Sequence, residues 1–310
     1  MNKTRISTTK IAEICGVSQG TVDRALNGRK GIHPETKEKI LNVAKEYGYR
    51  PNIHARSIAG GKSQLIGVVV FNLNNQYFSD FLTSVEKYCT AQNYSTVVMF
   101  TNKDSTKEIN CINNLYHMAV DGIILCPVND GEEYENYLLS LNIPIVTIGN
   151  KLNRIPYIGI NNSLATKEAV EHVIKNGYQK LIYVKPKLQE KNTFAQSERL
   201  AAFTAVCHNA KVKYTITELH NAEKELQEDT ACALICPTDI YAIRLLSAAK
   251  KHNAGIIGFD NIRLIDELDL KLDSVSYDVE ATVKSAIDYI LSGKRIHTPI
   301  LHQVVKRGSV

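Results

Sequence analysis

Short apolar runs alternate with helical patterns from residue 65 onward, and this alternation restricts the possible folds more than any other feature. The first series of runs covers residues 65–72, 95–100, 122–127 and 145–148. The second covers residues 180–184, 233–237 and 255–259, with 214–218 as a weaker member. Continuous apolar runs separated by helices are typical of parallel strands whose sheets are covered on both faces. The pattern predicts an α/β body of two doubly wound parallel-sheet subdomains with a cleft between them.

The residues that follow these runs are candidates for a ligand site, because open parallel sheets bind ligands beyond the carboxyl ends of their strands. They are polar and aromatic, which suits a small polyhydroxylated ligand. The candidates are Asn75, Tyr77, Phe78, Asn129, Arg199, Asp239 and Asp260, with Arg199 at the end of a predicted loop over 191–199. A structural alternative exists for most of them. The two aspartates could cap helices, the aromatic pair could open a core helix, and the arginine could be solvated.

Positive charge is concentrated at the start of the chain. Residues 1–62 contain twelve Lys or Arg against five Asp or Glu, out of 37 and 32 in the whole chain. The remaining residues contain 25 against 27 and are slightly acidic. A basic segment attached to an acidic body is typical of a module that binds the phosphates of a nucleic acid.

Residues 9–30, TKIAEICGVSQGTVDRALNGRK, have the pattern of two short helices joined by a turn. Ile11, Ala12 and Ile14 predict an apolar face on the first helix, and Gly16 ends it. Ser18 can cap a second helix that runs from Gln19 to about Leu26. The polar face of that helix, with Gln19, Gly20, Asp23, Arg24 and Asn27, could enter a major groove. The alternative is a helical hairpin with a solvated face, but the local charge favours the helix-turn-helix.

A third helix and a linker complete this part of the chain. Pro34 can open a helix that reaches about Tyr47, with Ile40, Val43, Ala44 and Tyr47 on its buried face and Gly48 after its end. Asn52 can cap a helix of about seven residues, which Gly60 and Gly61 stop. Because so short a helix is marginal in water, it either orders on binding or is an inert linker.

Several other classes of protein are disfavoured. Seven cysteines are scattered through apolar runs, which favours buried reduced thiols over disulfides. Cys232 and Cys236 lack further ligands at metal spacing, so we expect no metal and no cofactor. We find no export signal and no apolar run that could cross a bilayer, which predicts a cytoplasmic protein without membrane contact. No phosphate-binding loop, nucleophile elbow or dinucleotide fingerprint points to an enzyme, and we expect no catalytic residues.

The whole chain resembles the lactose-repressor (LacI/GalR) family of bacterial transcriptional regulators. The segments responsible are IAEICGVSQGTVDRALNG, YRPNIHARSIAGG, LIGVVV, RLAAF, IIGFDN and VKRGSV. The resemblance implies a head at 1–48, a hinge at 49–63 and a periplasmic-binding-protein-like effector domain at 64–310. The first subdomain would cover about 64–161 and 275–300, and the second about 162–274 and 301–310.

The resemblance also assigns the DNA contacts. Gln19, Gly20 and Arg24 would read bases in the major groove, and Ser18, Thr21 and Asn27 would contact phosphate. The hinge would contribute Asn52, His54, Ala55, Arg56 and Ile58. Ile58 stands where most members have Leu, the residue that wedges open a central base step from the minor groove.

The sequence departs from the family pattern both in the expected DNA-binding site and in the expected ligand site. Asp23 stands where many members have Ser and places a negative charge beside the groove, while Gly20 has no side chain to read a base. Many members have an Asp at Gly149 that binds ligand, and Asn150 could replace it. Because the chain has no Trp, Tyr77, Phe78 or Tyr277 would supply the stacking surface for a sugar.

These observations predict a homodimeric repressor that binds a roughly palindromic double-stranded DNA operator under the control of a small polar effector, such as a sugar or sugar derivative. A solute-binding transport protein would share the body. It is disfavoured by the basic head and by the absence of an export signal.

Overall fold

The computed structural model describes residues 6–26, 28–49, 62–187, 190–226, 231–294 and 299–310. The chain forms two compact units, Met1–Ser63 and Gln64–Val310. We call the first unit the head and the second the body.

Three helices form the head. They are α1 (Thr8–Cys15), α2 (Gln19–Leu26) and α3 (Pro34–Glu46). The side chain of Ser7 caps α1 by accepting a hydrogen bond from the backbone N–H of Lys10. Gly16 ends α1 with φ at +70°, a left-handed conformation that costs little without a Cβ. The predicted bounds of α2 are confirmed, and α3 ends one residue earlier than expected.

The core of the head is small and apolar. Its fully buried side chains are Ile11, Val22 and Ile40, one from each helix. Two predictions are wrong here, because Ile14 is 37% exposed and Tyr47 is 53% exposed. Cys15 is buried instead of Ile14, since it lies four residues after Ile11 on the same face of α1. Tyr47 follows the last turn of α3 and is not part of its buried face.

The first subdomain of the body is built on a sheet of five parallel strands in the order β2-β1-β3-β4-β5. The strands are β1 (Leu65–Val70), β2 (Ser95–Phe100), β3 (Gly122–Leu125), β4 (Ile145–Ile148) and β5 (Tyr157–Ile158). The helices are α4 (Gln76–Ala91), α5 (Ser105–His117), α6 (Glu132–Ser140) and α11 (Val279–Ser292). Alternate residues of β1 face opposite layers. Val68 and Val70 belong to the core beneath α4 and α11, and Val69 belongs to the core beneath α5 and α6.

The second subdomain is built on a six-stranded sheet in the order β11-β10-β9-β8-β6-β7. Its strands are β6 (Lys180–Lys185), β7 (Lys213–Glu218), β8 (Cys232–Ile235), β9 (Gly255–Phe259), β10 (Asp273–Tyr277) and β11 (His302–Val305). Its helices are α7 (Asn162–Lys175), α8 (Phe194–Ala210), α9 (Asp239–Lys251) and α10 (Leu264–Glu267), with a 3₁₀ helix at Leu219–Glu225. α7 and α8 cover one face, and α9, α10 and the 3₁₀ helix cover the other. All pairs of strands are parallel except β10 with β11.

This architecture confirms the predicted fold class, and all eight predicted runs contain strands. β5, β10 and β11 were not expected. Because β10 belongs to the second sheet through Tyr277, the chain returns to the first subdomain slightly after the boundary predicted near 275. The predicted loop over 191–199 is also shorter than expected, since α8 already begins at Phe194 and carries Arg199.

All seven cysteines are buried, as the sequence predicts. Burial raises the pKa of the Cys89 and Cys207 thiols to about 11. No helix in the described part of the chain is long and apolar enough to cross a membrane. Among the described residues, no group of three or more His, Cys, Asp or Glu side chains is arranged to hold a metal ion.

Candidate ligand cleft and DNA-binding face

A cavity of about 390 Å³ lies between the two subdomains at the carboxyl ends of their parallel strands. Seven of the nine residues predicted for the ligand site line it: Asn75, Tyr77, Phe78, Asn150, Arg199, Asp260 and Tyr277. They come from chain segments far apart in sequence, which meet because the strand ends of both sheets face the same cleft.

Arg199 is a buried cation held in a fixed orientation on α8. Its Nε donates to Oδ1 of Asn162 at 2.9 Å, and its Nη1 donates to the carbonyl of Pro237 at 3.2 Å. The guanidinium carbon lies 3.4 Å from the centre of the Phe259 ring. Arginine has five N–H donors, so these two bonds leave others for a ligand in the cavity.

Asp260 supplies the opposite charge at the end of β9. Its carboxylate accepts hydrogen bonds from Nδ2 of Asn75 at 2.6 Å and from the hydroxyl of Tyr277 at 3.1 Å. Burial raises the pKa of this carboxyl, while the Arg199 guanidinium lowers it. The backbone φ of Asp260 is +100°, a strained value for a residue other than glycine. Such strain is retained where the surroundings hold a residue in place for function.

Aromatic rings form the apolar part of the cleft. The Tyr77 ring lies 5.4 Å from the Tyr277 ring and 5.2 Å from the Phe78 ring, and Phe71 makes an edge contact with Phe78 at 5.7 Å. Asn75 caps α4 by accepting from the backbone N–H of Tyr77, which fixes the start of the aromatic segment. A surface of fixed rings beside a buried arginine and a buried carboxyl group can hold a flat polar molecule.

Two residues predicted for the ligand site, Asn129 and Asp239, do not line the cavity. Asn129 is buried beneath α5, where its side-chain amide donates to the carbonyl of Ser105 and to Glu108. Asp239 is fully buried and accepts from the backbone N–H of Ile262 and the hydroxyl of Ser274. Both follow strands, as the sequence indicated, but they satisfy buried polar groups of the protein itself.

Asn150 lines the cavity but is bound to the facing subdomain. Its Nδ2 donates to the carbonyl of Asn192 at 2.9 Å, and its Oδ1 accepts from the backbone N–H of Ala195 at 3.1 Å. Asn192 is fully buried, its backbone N–H donates to the carbonyl of Val128, and its side chain donates to the carbonyl of Lys151. These bonds attach residues 190–195, which we call the strap, to the first subdomain.

Sequence reasoning missed several residues of the cleft. Asn162 positions Arg199, and Tyr157, Lys103 and Gln196 also line the cavity. Lys103 makes an ion pair of 3.1 Å with Glu190 of the strap. Gln196 could have been predicted as a cleft residue from the sequence, since it lies one helical turn before Arg199 on the same helix. Asn162 and Lys103 lie far from their partners in the chain.

In the head, the exposed face of α2 carries the residues predicted to contact DNA. Ser18, Gln19, Gly20 and Arg24 are exposed, and Thr21 is half-buried. Ser18 accepts from the backbone N–H of Thr21 and shares a hydrogen bond with its hydroxyl. Gln19 donates to the hydroxyl of Thr8 at 3.0 Å, and Nε of Arg24 donates to the carbonyl of Gly20 at 3.2 Å. The terminal amino groups of Arg24 are donors of the kind that a guanine edge accepts.

The remaining predicted DNA contacts lie outside the described residues. They are Asn27, Asn52, His54, Ala55, Arg56 and Ile58.

Sequence comparison matches both parts of the chain to one family. Residues 9–52 match the model described as "Bacterial regulatory proteins, lacI family". Residues 63–283 match "Periplasmic binding proteins and sugar binding domain of LacI family". Catabolite control protein A of Priestia megaterium is 27% identical over 323 residues, covering 96% of this chain and 97% of that protein. Catabolite control protein A of Staphylococcus epidermidis is equally identical over the same length.

Solved structures have the same fold. The lac repressor dimer bound to operator and the anti-inducer ONPF superimposes with a TM-score of 0.83 and 19% identity, over 99% of this chain and 100% of that one. The complex of the transcriptional regulator CelR with cellobiose gives a TM-score of 0.66 and 19% identity, over 99% and 100% of the two chains.

Proposed function

Because the chain belongs to the LacI family of bacterial regulatory proteins, we propose that it is a homodimeric repressor controlled by a small ligand in its cleft. The ligand is a sugar or sugar derivative. It sets the affinity of the protein for a roughly palindromic DNA operator, since a two-fold dimer reads two related half-sites. Similarity to an operator-bound lac repressor dimer and to a cellobiose complex supports this proposal.

The observation that carries the proposal is the arrangement of Arg199 and Asp260 in the cleft. A fixed cation with spare N–H donors and a fixed carboxylate can together bind neighbouring hydroxyl groups, which both donate and accept hydrogen bonds. Tyr77 and Tyr277 provide ring surfaces for the less polar face of a sugar. We therefore assign ligand contacts to these four residues, with Asn75, Phe78 and Asn150 around them.

We assign the DNA contacts to the exposed face of α2 and to the hinge. Gln19 and Arg24 read bases, Ser18, Thr21 and Asn27 contact phosphate, and Gly20 allows close approach of the helix. The hinge contributes Asn52, His54, Ala55, Arg56 and Ile58. Because its partner is DNA, the protein acts in the cytoplasm.

Binding, not catalysis, is the role that we assign to the cleft. The carboxylate of Asp260 already accepts hydrogen bonds from Asn75 and Tyr277, and it makes no bond to a nucleophile or a general base among the described residues. A catalytic base would need to reach a reacting proton directly.

A thermal-shift screen tests the ligand part of the proposal. Sugars, polyols, sugar phosphates and nucleobases are added to the full-length protein, and a ligand at 100 times its Kd should add about 2.7 kcal/mol of stability. Operator affinity should then change when the same compound is present. Arg199→Ala should abolish both effects while operator affinity without ligand stays within about twofold.

Arg154→Ala is the matched control, because Arg154 is exposed and does not line the cavity. A normal ligand response in Arg199→Ala would place the ligand site elsewhere. A protein that binds no DNA sequence selectively would refute the regulatory function.

A further inference from the structure

We propose that Gln196 determines which sugar the cleft accepts, because its side-chain amide hydrogen-bonds a ligand hydroxyl beside the group that Arg199 holds. This inference rests on the proposed ligand-binding function and adds a specificity-determining residue to it. Gln196 is not among the residues predicted for the ligand site.

The position of Gln196 on α8 places it next to Arg199. The two residues are three positions apart on one helix, and both line the cavity. Side chains at this spacing share a helix face, with Cβ atoms about 5–6 Å apart, so they can reach neighbouring hydroxyl groups of one sugar ring. The backbone just before Gln196 is fixed, since the N–H of Ala195 donates to Oδ1 of Asn150 at 3.1 Å. The amide of Gln196 is therefore carried on a rigid part of the site.

The side-chain oxygen of Gln196 is buried but unpaired. Its Oε1 is shielded from solvent and accepts no hydrogen bond from the described part of the chain. The oxygens of two other amides in the cavity are paired. Oδ1 of Asn162 accepts from Nε of Arg199. Oδ1 of Asn75 accepts from the N–H of Tyr77.

An unpaired buried oxygen indicates a place for a ligand. Buried polar atoms in folded proteins nearly always have a partner, and leaving one unpaired costs free energy. Gln196 lines a cavity, so a ligand in that cavity can pair with its amide and recover the cost. The same pairing then contributes to the affinity for the ligand.

A hydroxyl group is the partner that suits this amide. Turning the amide over exchanges its oxygen with its NH₂ group, and a hydroxyl can donate to the first or accept from the second. Arg199 only donates and an ionised Asp260 only accepts, so hydroxyls can pair with these side chains as well. A ring carbon without a hydroxyl offers no such bond. A site of this kind strongly rejects a deoxy analogue, because binding would leave its own buried polar group unpaired.

The alternative role for Gln196 is structural, and the stability of the protein without ligand separates the two roles. Gln196→Met replaces the amide with an apolar, unbranched side chain of similar length. If the amide serves a ligand, the variant should have a urea midpoint equal to or above that of the wild type, since it removes a buried oxygen without a partner. A midpoint below that of the wild type would mean that the amide supports the fold, and would overturn the inference.

Titration with sugars tests the ligand contact directly. D-Glucose, D-galactose, D-mannose, D-ribose, D-xylose and cellobiose are each titrated into the full-length protein, and the tightest binder is the probe sugar. Gln196→Met should weaken its binding about 5- to 150-fold, the loss expected when a buried polar group has no partner. One monodeoxy derivative of the probe sugar should bind the wild type with a similar loss, yet bind Gln196→Met no worse than the complete sugar does. This non-additivity would identify the hydroxyl that Gln196 holds.

Gln92→Met is the matched control, because Gln92 is exposed after the end of α4 and does not line the cavity. It should leave the binding of the probe sugar unchanged. Additive losses for Gln196→Met and every monodeoxy derivative would overturn the inference, as would unchanged binding of the probe sugar by Gln196→Met. These results would leave the proposed function intact. A wild-type protein that binds none of these sugars would instead refute the ligand class of the proposed function and, with it, this inference.

Discussion

Asp239 follows a strand, as the ligand-site candidates do, but its buried side chain serves the scaffold of the second subdomain. It lies next to the cleft residue Thr238 but faces away from the cavity, into the second subdomain. Burial, and to a lesser extent the carboxyl of Asp260, raise its pKa to about 8. The hydrogen bonds that Asp239 accepts from the Ser274 hydroxyl and from the N–H of Ile262 lower this pKa, but by less than burial raises it. The residue is thus best described as a neutral acid at pH 7.

This assignment predicts how stability depends on pH. Between about 4 and 8, the folded state keeps a proton on Asp239 that the unfolded state releases. The free energy of unfolding should therefore fall by up to about 1.4 kcal/mol per pH unit as pH rises through that window. Asp239→Asn should flatten this slope, since an amide replaces the neutral acid. Urea denaturation of the wild type and of Asp239→Asn at a series of pH values measures the pH dependence of the free energy of unfolding.

Asp239→Ala supplies the control for packing and hydrogen bonding. It leaves the backbone N–H of Ile262 without a partner, at a cost of about 1 to 3 kcal/mol at pH 7. Asp239→Asn should cost less than about 1 kcal/mol at the same pH. An equal loss of stability in the two variants would mean that the carboxyl is ionised in the folded protein.

Single residues also mark the limit of prediction from the sequence. Arg199 and Asp260 could be placed in the cleft because each follows a recognisable strand or motif and the strand ends converge. Asn129 follows a strand as well, yet its amide turns inward to Glu108, a partner 21 residues earlier in the chain. Whether a polar side chain faces the cavity or a buried backbone group depends on contacts that no local pattern encodes.

The strap is one of the elements that join the two subdomains across the cleft. Its bonds to Asn150, Val128 and Lys151 involve buried polar groups, each of which would lose a partner if the cleft opened. The subdomains can therefore be held together here without a ligand. Opening the cleft requires release of the strap.

Asn150→Ala should loosen the strap. The change removes the acceptor for the N–H of Ala195 and the donor for the carbonyl of Asn192, bonds worth about 1 to 2 kcal/mol together. Hydrogen exchange at Ala195 should then accelerate about 5- to 30-fold. Asn209→Ala, at an exposed position later on α8, should leave that exchange rate unchanged. Equal protection of Ala195 in wild type and Asn150→Ala would show that other contacts hold the strap.

The strands differ in how clearly the apolar pattern of the sequence predicts them. The eight apolar runs could be recognised because strands buried on both faces need continuous apolar residues. β10 carries Asp273 and two serines, whose polar groups are satisfied inside the fold, as when Asp273 accepts from the backbone N–H groups of Arg307, Gly308 and Ser309. β11 pairs antiparallel at the sheet edge and is only half-buried. Neither strand has the apolar signal that marks the others.

At the scale of the whole molecule, the head and the body each have their own core. The head is built around Ile11, Val22 and Ile40, whereas the described residues of the body form apolar clusters of their own. Ligand and DNA are thus assigned to units with independent interiors. Communication between them must take the form of a coupling free energy in the full-length protein.

Thermodynamic linkage makes this coupling measurable in two ways. If a ligand changes operator affinity by some factor, commonly about 5 to 150, operator DNA must change ligand affinity by the same factor and in the same direction. Ligand titrations of the full-length protein with and without saturating operator should give the same ratio as operator titrations with and without ligand. A fragment of residues 64–310 should bind the ligand with an affinity that operator DNA does not alter, because it lacks the reading helix. Two unequal factors would mean that the ligand acts on some step other than the equilibrium between the DNA-binding and non-binding states.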